Sequence, residues 1–165
     1  MTNKIYSTDA YAKTVAATIT DVDRDDNRVL LDATVFYPGG GGQPHDIGEM
    51  VIGDDRLSVV RVEADGDHVW HWLEGGLPPV GTTVEGRVDW DRRYRLMRTH
   101  TAMHALCGVV WNRFQSPVTG GNMKPGDGRL DFELPDWKPE YKSEIEAELN
   151  TQLSRTLPIQ VEFLD

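Results

Sequence analysis

The sequence predicts an α+β chain, with a strand-rich first half and a second half that mixes helices with strands. Three observations carry this. Residues 14 to about 90 break into short β-branched runs separated by turn clusters. Arg92 to Phe114 holds no proline and one glycine, Gly108, and its apolar residues recur at helical spacing. Alternation then returns on either side of a second helical stretch.

The elements follow in order. Val15, Ala17 and Ile19 alternate within Thr14–Asp21, Asp25-Asp26-Asn27 makes a turn, and Arg28–Val35 continues as the second arm of a hairpin. Further strands are expected at Met50–Ile52, Leu57–Glu63, His68–Leu73 and Thr83–Asp89, punctuated by Gly53-Asp54-Asp55, Asp65-Gly66-Asp67 and Gly75–Gly81. Strands this short, at this spacing, predict a small barrel or sandwich. The long helix carries Leu96, Met97, Met103, Leu106, Val110, Trp111 and Phe114, with Asp89 or Asp91 as its N-cap and Ser116-Pro117 as its stop. Arg129–Leu134 reads as a strand, and Pro139 to about Arg155 as a second helix with the stripe Tyr141, Ile145, Leu149 and Leu153. Ile159, Val161 and Phe163 alternate as a last strand. The domains divide at 1–89 and 90–165, and the order strand, helix, strand, helix, strand predicts more sheet beyond the second domain as given.

Composition narrows the function classes. The 165 residues are 39% hydrophobic and 27% charged, which fits a folded globular chain. No apolar run reaches the roughly 20 residues of a membrane span. The N-terminus lacks the apolar core of a secretory signal, so a cytoplasmic address and no membrane partner are expected. The single cysteine, Cys107, excludes an internal disulfide and a four-cysteine metal site. A net charge of −10 argues against DNA as a partner, while leaving room for a local basic patch.

Four groups of residues carry candidate chemistry. His100 and His104 lie one turn apart on one helix face, where two imidazoles can converge on a zinc ion or can be an ordinary histidine pair. Cys107 shares that face, but the helical rise of ~1.5 Å per residue carries it ~10 Å along the axis from His100, and it reads as a small hydrophobe. The segment Phe36-Tyr37-Pro38-Gly39-Gly40-Gly41-Gly42-Gln43-Pro44-His45-Asp46-Ile47-Gly48 lets the backbone take positive φ and approach a ligand, and its amides suit an anion. It is no P-loop, having no Lys-Ser/Thr, and no dinucleotide fingerprint, having no helix after it. Arg92, Arg93, Arg95 and Arg98 form a positive patch suited to phosphates, which Lys124 and Arg129 could extend. His68 and His71 fall on opposite faces of a strand and do not share a metal. Trp70, Trp72 and Trp90 read as packing aromatics.

Phe36–Gly48, Arg98-Thr99-His100-Thr101-Ala102-Met103-His104 and the Gly120–Phe132 segment occur in this order, and together they resemble the alanyl-tRNA editing proteins. These are relatives of the editing domain of alanyl-tRNA synthetase, and the editing domain of threonyl-tRNA synthetase shares the two-histidine helix. The resemblance covers about residues 15 to 164. It implies a glycine-rich β-barrel followed by a two-layer α/β editing domain with an antiparallel sheet. It also implies hydrolysis of the ester that joins serine or glycine to the acceptor end of alanine tRNA. By this resemblance His100 and His104 are zinc ligands, and Gly41, Gly42 and Gln43 line the amino-acid pocket. Gln43 and Asp46 are assigned to catalysis, and Arg92, Arg95 and Arg98 to tRNA binding. The family completes its zinc site with a C-x3-H pair that this sequence does not contain, so the remaining ligands are expected outside it.

An aminoacyl ester is already activated, so a modest hydrolase suffices. Zinc can supply hydroxide or orient the amino group, and loop amides with Gln43 can stabilise an oxyanion. Two other readings stand beside this one: a tRNA-binding module without a complete zinc site, and an unrelated zinc hydrolase of small esters.

Overall fold

The computed structural model describes residues 1–134 and 136–160. They fall into two compact units, Met1–Leu96 and the residues from Met97 on, with the long helix running through the division.

The first unit is a closed barrel. Its strands are β2 (Thr14–Asp23), β3 (Arg28–Leu31), β5 (Gly48–Ile52), β6 (Asp55–Asp65), β7 (His68–Glu74) and β8 (Thr83–Val88). They join in the order β2-β3-β7-β6-β5-β8, every pairing antiparallel. Of barrel and sandwich, the barrel is the outcome. The β2–β3 turn closes on Asn27 at φ 56°, a conformation asparagine tolerates better than most residues. Period-2 alternation fills the interior with Val15, Ala17, Ile19, Val29, Leu31, Met50, Val69, Leu73 and Val84. Val59 and Val62 are both buried although their spacing is odd. A register shift between Val59 and Arg61 flips the inward set of β6 at that point. Phe36 is sealed in the same core, against Gly48 and Gly86. A β-carbon on Gly48 would lie 2.1 Å from the Arg87 carbonyl, so only glycine fits there.

The expected strand over Arg28–Val35 is interrupted. β3 ends at Leu31, and the Asp32 carboxylate turns to accept the Thr18 N–H at 2.8 Å. The chain resumes as β4 (Ala33–Thr34), which pairs in parallel with β1 (Asn3–Lys4). A short polar side chain that can bond a nearby amide competes with the sheet ladder, and here it wins.

The helix α1 (Trp90–Phe114) opens with Asp89 as its N-cap, whose carboxylate accepts the Arg92 N–H at 3.0 Å. It closes at Gln115, in the left-handed region at φ 53°, whose N–H reaches the Trp111 carbonyl. In the second unit, β9 (Val118–Lys124) and β10 (Asp127–Phe132) form an antiparallel hairpin around Pro125-Gly126. The hairpin packs on α1: the Gly126 N–H donates to Thr99 Oγ1 at 3.0 Å, and a β-carbon on Gly128 would strike Met103 Sδ at 2.5 Å. The helix α2 (Glu140–Ser154) buries none of its residues fully. Tyr141 rests 5.1 Å from Phe114 between ring centroids, and Glu144 pairs with Arg113. Of the expected last strand, Ile159 is exposed and lies outside any strand, while Val161 and Phe163 lie outside the described residues. The whole is an α+β chain with an N-terminal small barrel. Among the described residues, no helix is long and apolar enough to cross a membrane.

His71 is the buried exception in the barrel core. Its Nε2 meets the Thr34 hydroxyl at 2.8 Å and its ring packs edge-on to Phe36. Burial pushes its pKa down from 6.5 to about 4. The folded state therefore holds the neutral ring, and the unfolded chain takes up the proton first as pH falls. This contribution is intact above pH 6.5 and is lost progressively toward pH 4. Urea unfolding should show stability dropping by about 3 kcal/mol more across that window in the wild type than in His71→Gln.

Candidate active site

The glycine segment folds as a small hairpin rather than a slack linker. Gly40 and Gln43 exchange backbone hydrogen bonds, each at 3.0 Å, around the two-residue tip Gly41-Gly42. Both tip residues have positive φ, 57° and 82°, the signature of the tight turn that asks for glycine at both positions. The tip is exposed and a β-carbon at either position would meet nothing within 4 Å. Only the backbone angle, not crowding, therefore demands glycine there. The Tyr37 hydroxyl donates to the Gly40 carbonyl at 3.1 Å. Burial, then the Asp46 charge, raises the Tyr37 pKa, so this donor keeps its proton at neutral pH.

The base of the hairpin is closed by Asp46. Its N–H donates to the Tyr37 carbonyl at 2.8 Å, and its carboxylate accepts the Tyr37 N–H at 2.6 Å. That carboxylate is fully buried and faces Arg93, itself 2% exposed. Arg93 Nε lies 2.8 and 2.9 Å from the two oxygens, and an Nη donates to one of them as well. Further guanidinium hydrogens go to the carbonyls of Val35, at 2.6 Å, and Ala10, at 3.1 Å. Arg92 adds a bond to the His45 carbonyl at 2.6 Å. The loop, the strand end before it, the N-terminal segment and the first turn of α1 are thus fastened at one point.

This changes the arginine patch. The spacing groups Arg93 with its neighbours as a phosphate-facing cation, but it is buried and internal. Its register explains this: it sits one turn after the N-cap, where its N–H bonds the Asp89 carbonyl and its side chain turns toward the barrel. Arg92 is half-buried and partly occupied by the loop, whereas Arg95 and Arg98 are exposed. Nothing in the spacing separates Arg93 from the other three. What separates it is the structure, in which the buried Asp46 carboxylate is its partner.

In the second unit His100 and His104 come together as the one-turn spacing predicts. Their rings stack at 4.9 Å between centroids, and their Nε2 atoms are 3.1 Å apart. Two imidazole lone pairs this close need a proton or a cation between them. Burial first, and the neighbouring His104 second, lower the His100 pKa and favour the neutral, ligating form. A tetrahedral zinc with nitrogen ligands at ~2.05 Å separates two of them by about 3.3 Å, so the pair fits two corners of such a site. Among the described residues, no group of three His, Cys, Asp or Glu is placed to hold a metal, and Cys107 is a half-buried thiol outside the pair.

Removing one partner of the buried ion pair strands the other. Arg93→Met should cost about 3–5 kcal/mol in urea unfolding. The double variant Arg93→Met/Asp46→Leu should cost clearly less than the sum of the two single changes.

A family model described as tRNA synthetases class II (A) matches residues 2–92, which include the barrel, the glycine hairpin and Arg92. The alanyl-tRNA editing protein AlaX-M of Methanosarcina barkeri is 40% identical over 141 residues, covering 81% of this chain and 57% of that protein. AlaX-M of Pyrococcus horikoshii is 41% identical over 140 residues, covering 82% and 62%. The alanine–tRNA ligase of Hyperthermus butylicus is 40% identical over 139 residues, covering 81% of this chain and 15% of the ligase. The chain thus spans less than two thirds of the length of these editing proteins. It belongs to the class II (A) tRNA synthetase family, and the resemblance to alanyl-tRNA editing proteins carried by its motifs extends over four fifths of its residues.

Proposed function

We propose that this chain carries the editing chemistry of its relatives: hydrolysis of the ester between a wrong amino acid, serine or glycine, and the acceptor end of alanine tRNA, in the cytoplasm. The observation that carries the reading is the convergent His100–His104 pair in a chain 40% identical to alanyl-tRNA editing proteins. His100 and His104 would hold zinc as two of its ligands. When bound, zinc supplies Lewis-acid polarisation or an ionised water near neutral pH.

The chain's own residues then take distinct tasks. The tip amides of Gly41 and Gly42, with Gln43, bind the amino acid and offer donors to the oxygen that gains charge as the ester is attacked. Asp46 acts by position, since both its oxygens are engaged by Arg93 and the Tyr37 amide. Arg92, Arg95 and Arg98 meet tRNA phosphates. A second reading is a tRNA-binding module or vestigial editing domain without a complete zinc site, in which His100 and His104 are an ordinary stacked histidine pair.

Three variants separate these. Seryl-tRNA(Ala) deacylation under single-turnover conditions should be lost in Gly42→Val, because a β-branched residue disfavours the positive φ of 82°. Its melting temperature should fall by only a few degrees, because the strain of that φ is confined to an exposed turn with room for the side chain. Gln43→Ala should slow turnover by up to about a hundredfold while tRNA affinity holds. His100→Ala should lower both bound zinc, read by mass analysis of the native protein, and turnover. A wild type that binds tRNA without deacylating it would leave the binding-module reading in place, and deacylation unchanged in all three variants would overturn this site assignment.

A further inference from the structure

Helix α1 opens with an aromatic cluster that the glycine hairpin does not use. Trp90 lies 5.7 Å from Tyr94 between centroids, nearly parallel at 24°, and 5.7 Å from Tyr11, tilted at 49°. Lys13 Nζ sits 4.6 Å from the Trp90 ring. Tyr11 is 62% exposed and Tyr94 40% exposed, so a row of π-faces with a cation beside it stands at the surface. The row is held in place. The Asp9 carboxylate accepts the Tyr11 N–H at 2.9 Å, and Arg93 holds the Ala10 carbonyl at 3.1 Å. The loop bearing Tyr11 is thereby tied to the same buried clamp as the glycine hairpin.

The other tryptophans of the barrel offer no such row. Trp70 and Trp72 lie under the guanidinium groups of Arg28 and Arg61, which are themselves paired with Asp23, Asp26 and Glu63. The cations on those rings are neutralised by carboxylates, a poor setting for a polyanion. Around Trp90 the setting differs: Lys13 lies on the ring and Arg92 and Arg95 come next on the helix, beside Asp91 and the carboxylates of Asp9 and Asp89, each of which accepts a backbone N–H.

We propose that Tyr11, Trp90 and Tyr94, with Lys13, form a stacking platform for the unpaired bases at the 3′ end of an RNA. Aromatic rings bind bases through their faces irrespective of sequence, and flanking cations track the backbone. A base-paired stem has its faces already stacked and gains little there. The platform rests on the editing reading and names where the single-stranded end lies.

The test compares two labelled RNA minihelices, one with a four-nucleotide 3′ overhang and one blunt, by fluorescence anisotropy with the full chain. The wild type should bind the overhang form more tightly. Tyr11→Leu and Tyr94→Leu, which keep apolar bulk but lose the ring, should each weaken that form about tenfold and leave the blunt form unchanged. Tyr11→Phe and Tyr94→Phe should retain wild-type affinity. Lys13→Ala should flatten the salt dependence for the overhang form. Leucine variants that bind the overhang as tightly as wild type would overturn the platform, as would variants whose only change is a loss of self-association. If those variants also deacylate normally, the editing reading survives alone. A wild type that binds neither RNA would overturn both.

Discussion

The contact between Arg93 and Asp46 is the constraint on which the first unit's functional surface depends. Two charges removed from water are expensive to bury, and the pair persists only because nearly every donor and acceptor around it is satisfied. Asp46 takes the Tyr37 amide, and Arg93 takes the carbonyls of Val35 and Ala10. Those bonds reach the segment Val35–Tyr37 that enters the loop and the N-terminal segment at Ala10. A glycine run is costly to order, because glycine loses more conformational freedom than any other residue. Fastening both ends of the run at Tyr37 and Asp46 confines the remaining freedom to a two-residue tip. The same guanidinium sets the N-terminal loop and the start of α1, so one ion pair positions the hairpin and the aromatic row together.

Much of this was legible in the sequence, and the parts that were not have physical causes. Strands with clean alternation, such as Val15, Ala17 and Ile19, declared themselves, as did the long helix and the one-turn histidine pair, while the choice of Asp89 over Asp91 as the cap came from the structure. β4 is concealed within an apparently continuous run, because Asp32 competes with the ladder through a bond to Thr18, fourteen residues away in sequence. β9 is hidden because Gly120 and Gly121 depress strand propensity. Yet Gly121 is small because the Arg129 carbonyl and Leu130 crowd its position, and Pro125-Gly126 is a turn signal that could have paired the two strands. Arg93 escapes because four arginines in seven residues look alike until burial distinguishes them. For β4 and Arg93 the deciding partner lies beyond the reach of local pattern, whereas β9 carried its signal in the adjoining turn.

The two histidines illustrate how a local pattern can still carry chemical meaning. The same spacing that makes a helical pair stack also brings two Nε2 atoms within 3.1 Å, and partial burial, then the neighbouring His104, favours the neutral form of His100. Neutral imidazoles are metal ligands, and charged ones are not. The net charge of −10 would repel tRNA if it were spread evenly, so the local excess of cations at the start of α1 matters more than the total.

The glycine hairpin differs from familiar phosphate-binding loops in the element it leads into. A P-loop passes into a helix whose dipole reinforces its amides. Here the chain passes instead into strand β5, beginning at Gly48, where the sheet dipole is small. Any stabilisation of negative charge at the tip must therefore come from a few local donors held in advance, not from a long-range field. Such donors are effective only if they need no reorganisation when charge appears. In the proposed role, a buried ion pair behind a loop of four glycines would meet that requirement: the tip would supply close approach without side chains, and the clamp the rigidity that glycine lacks.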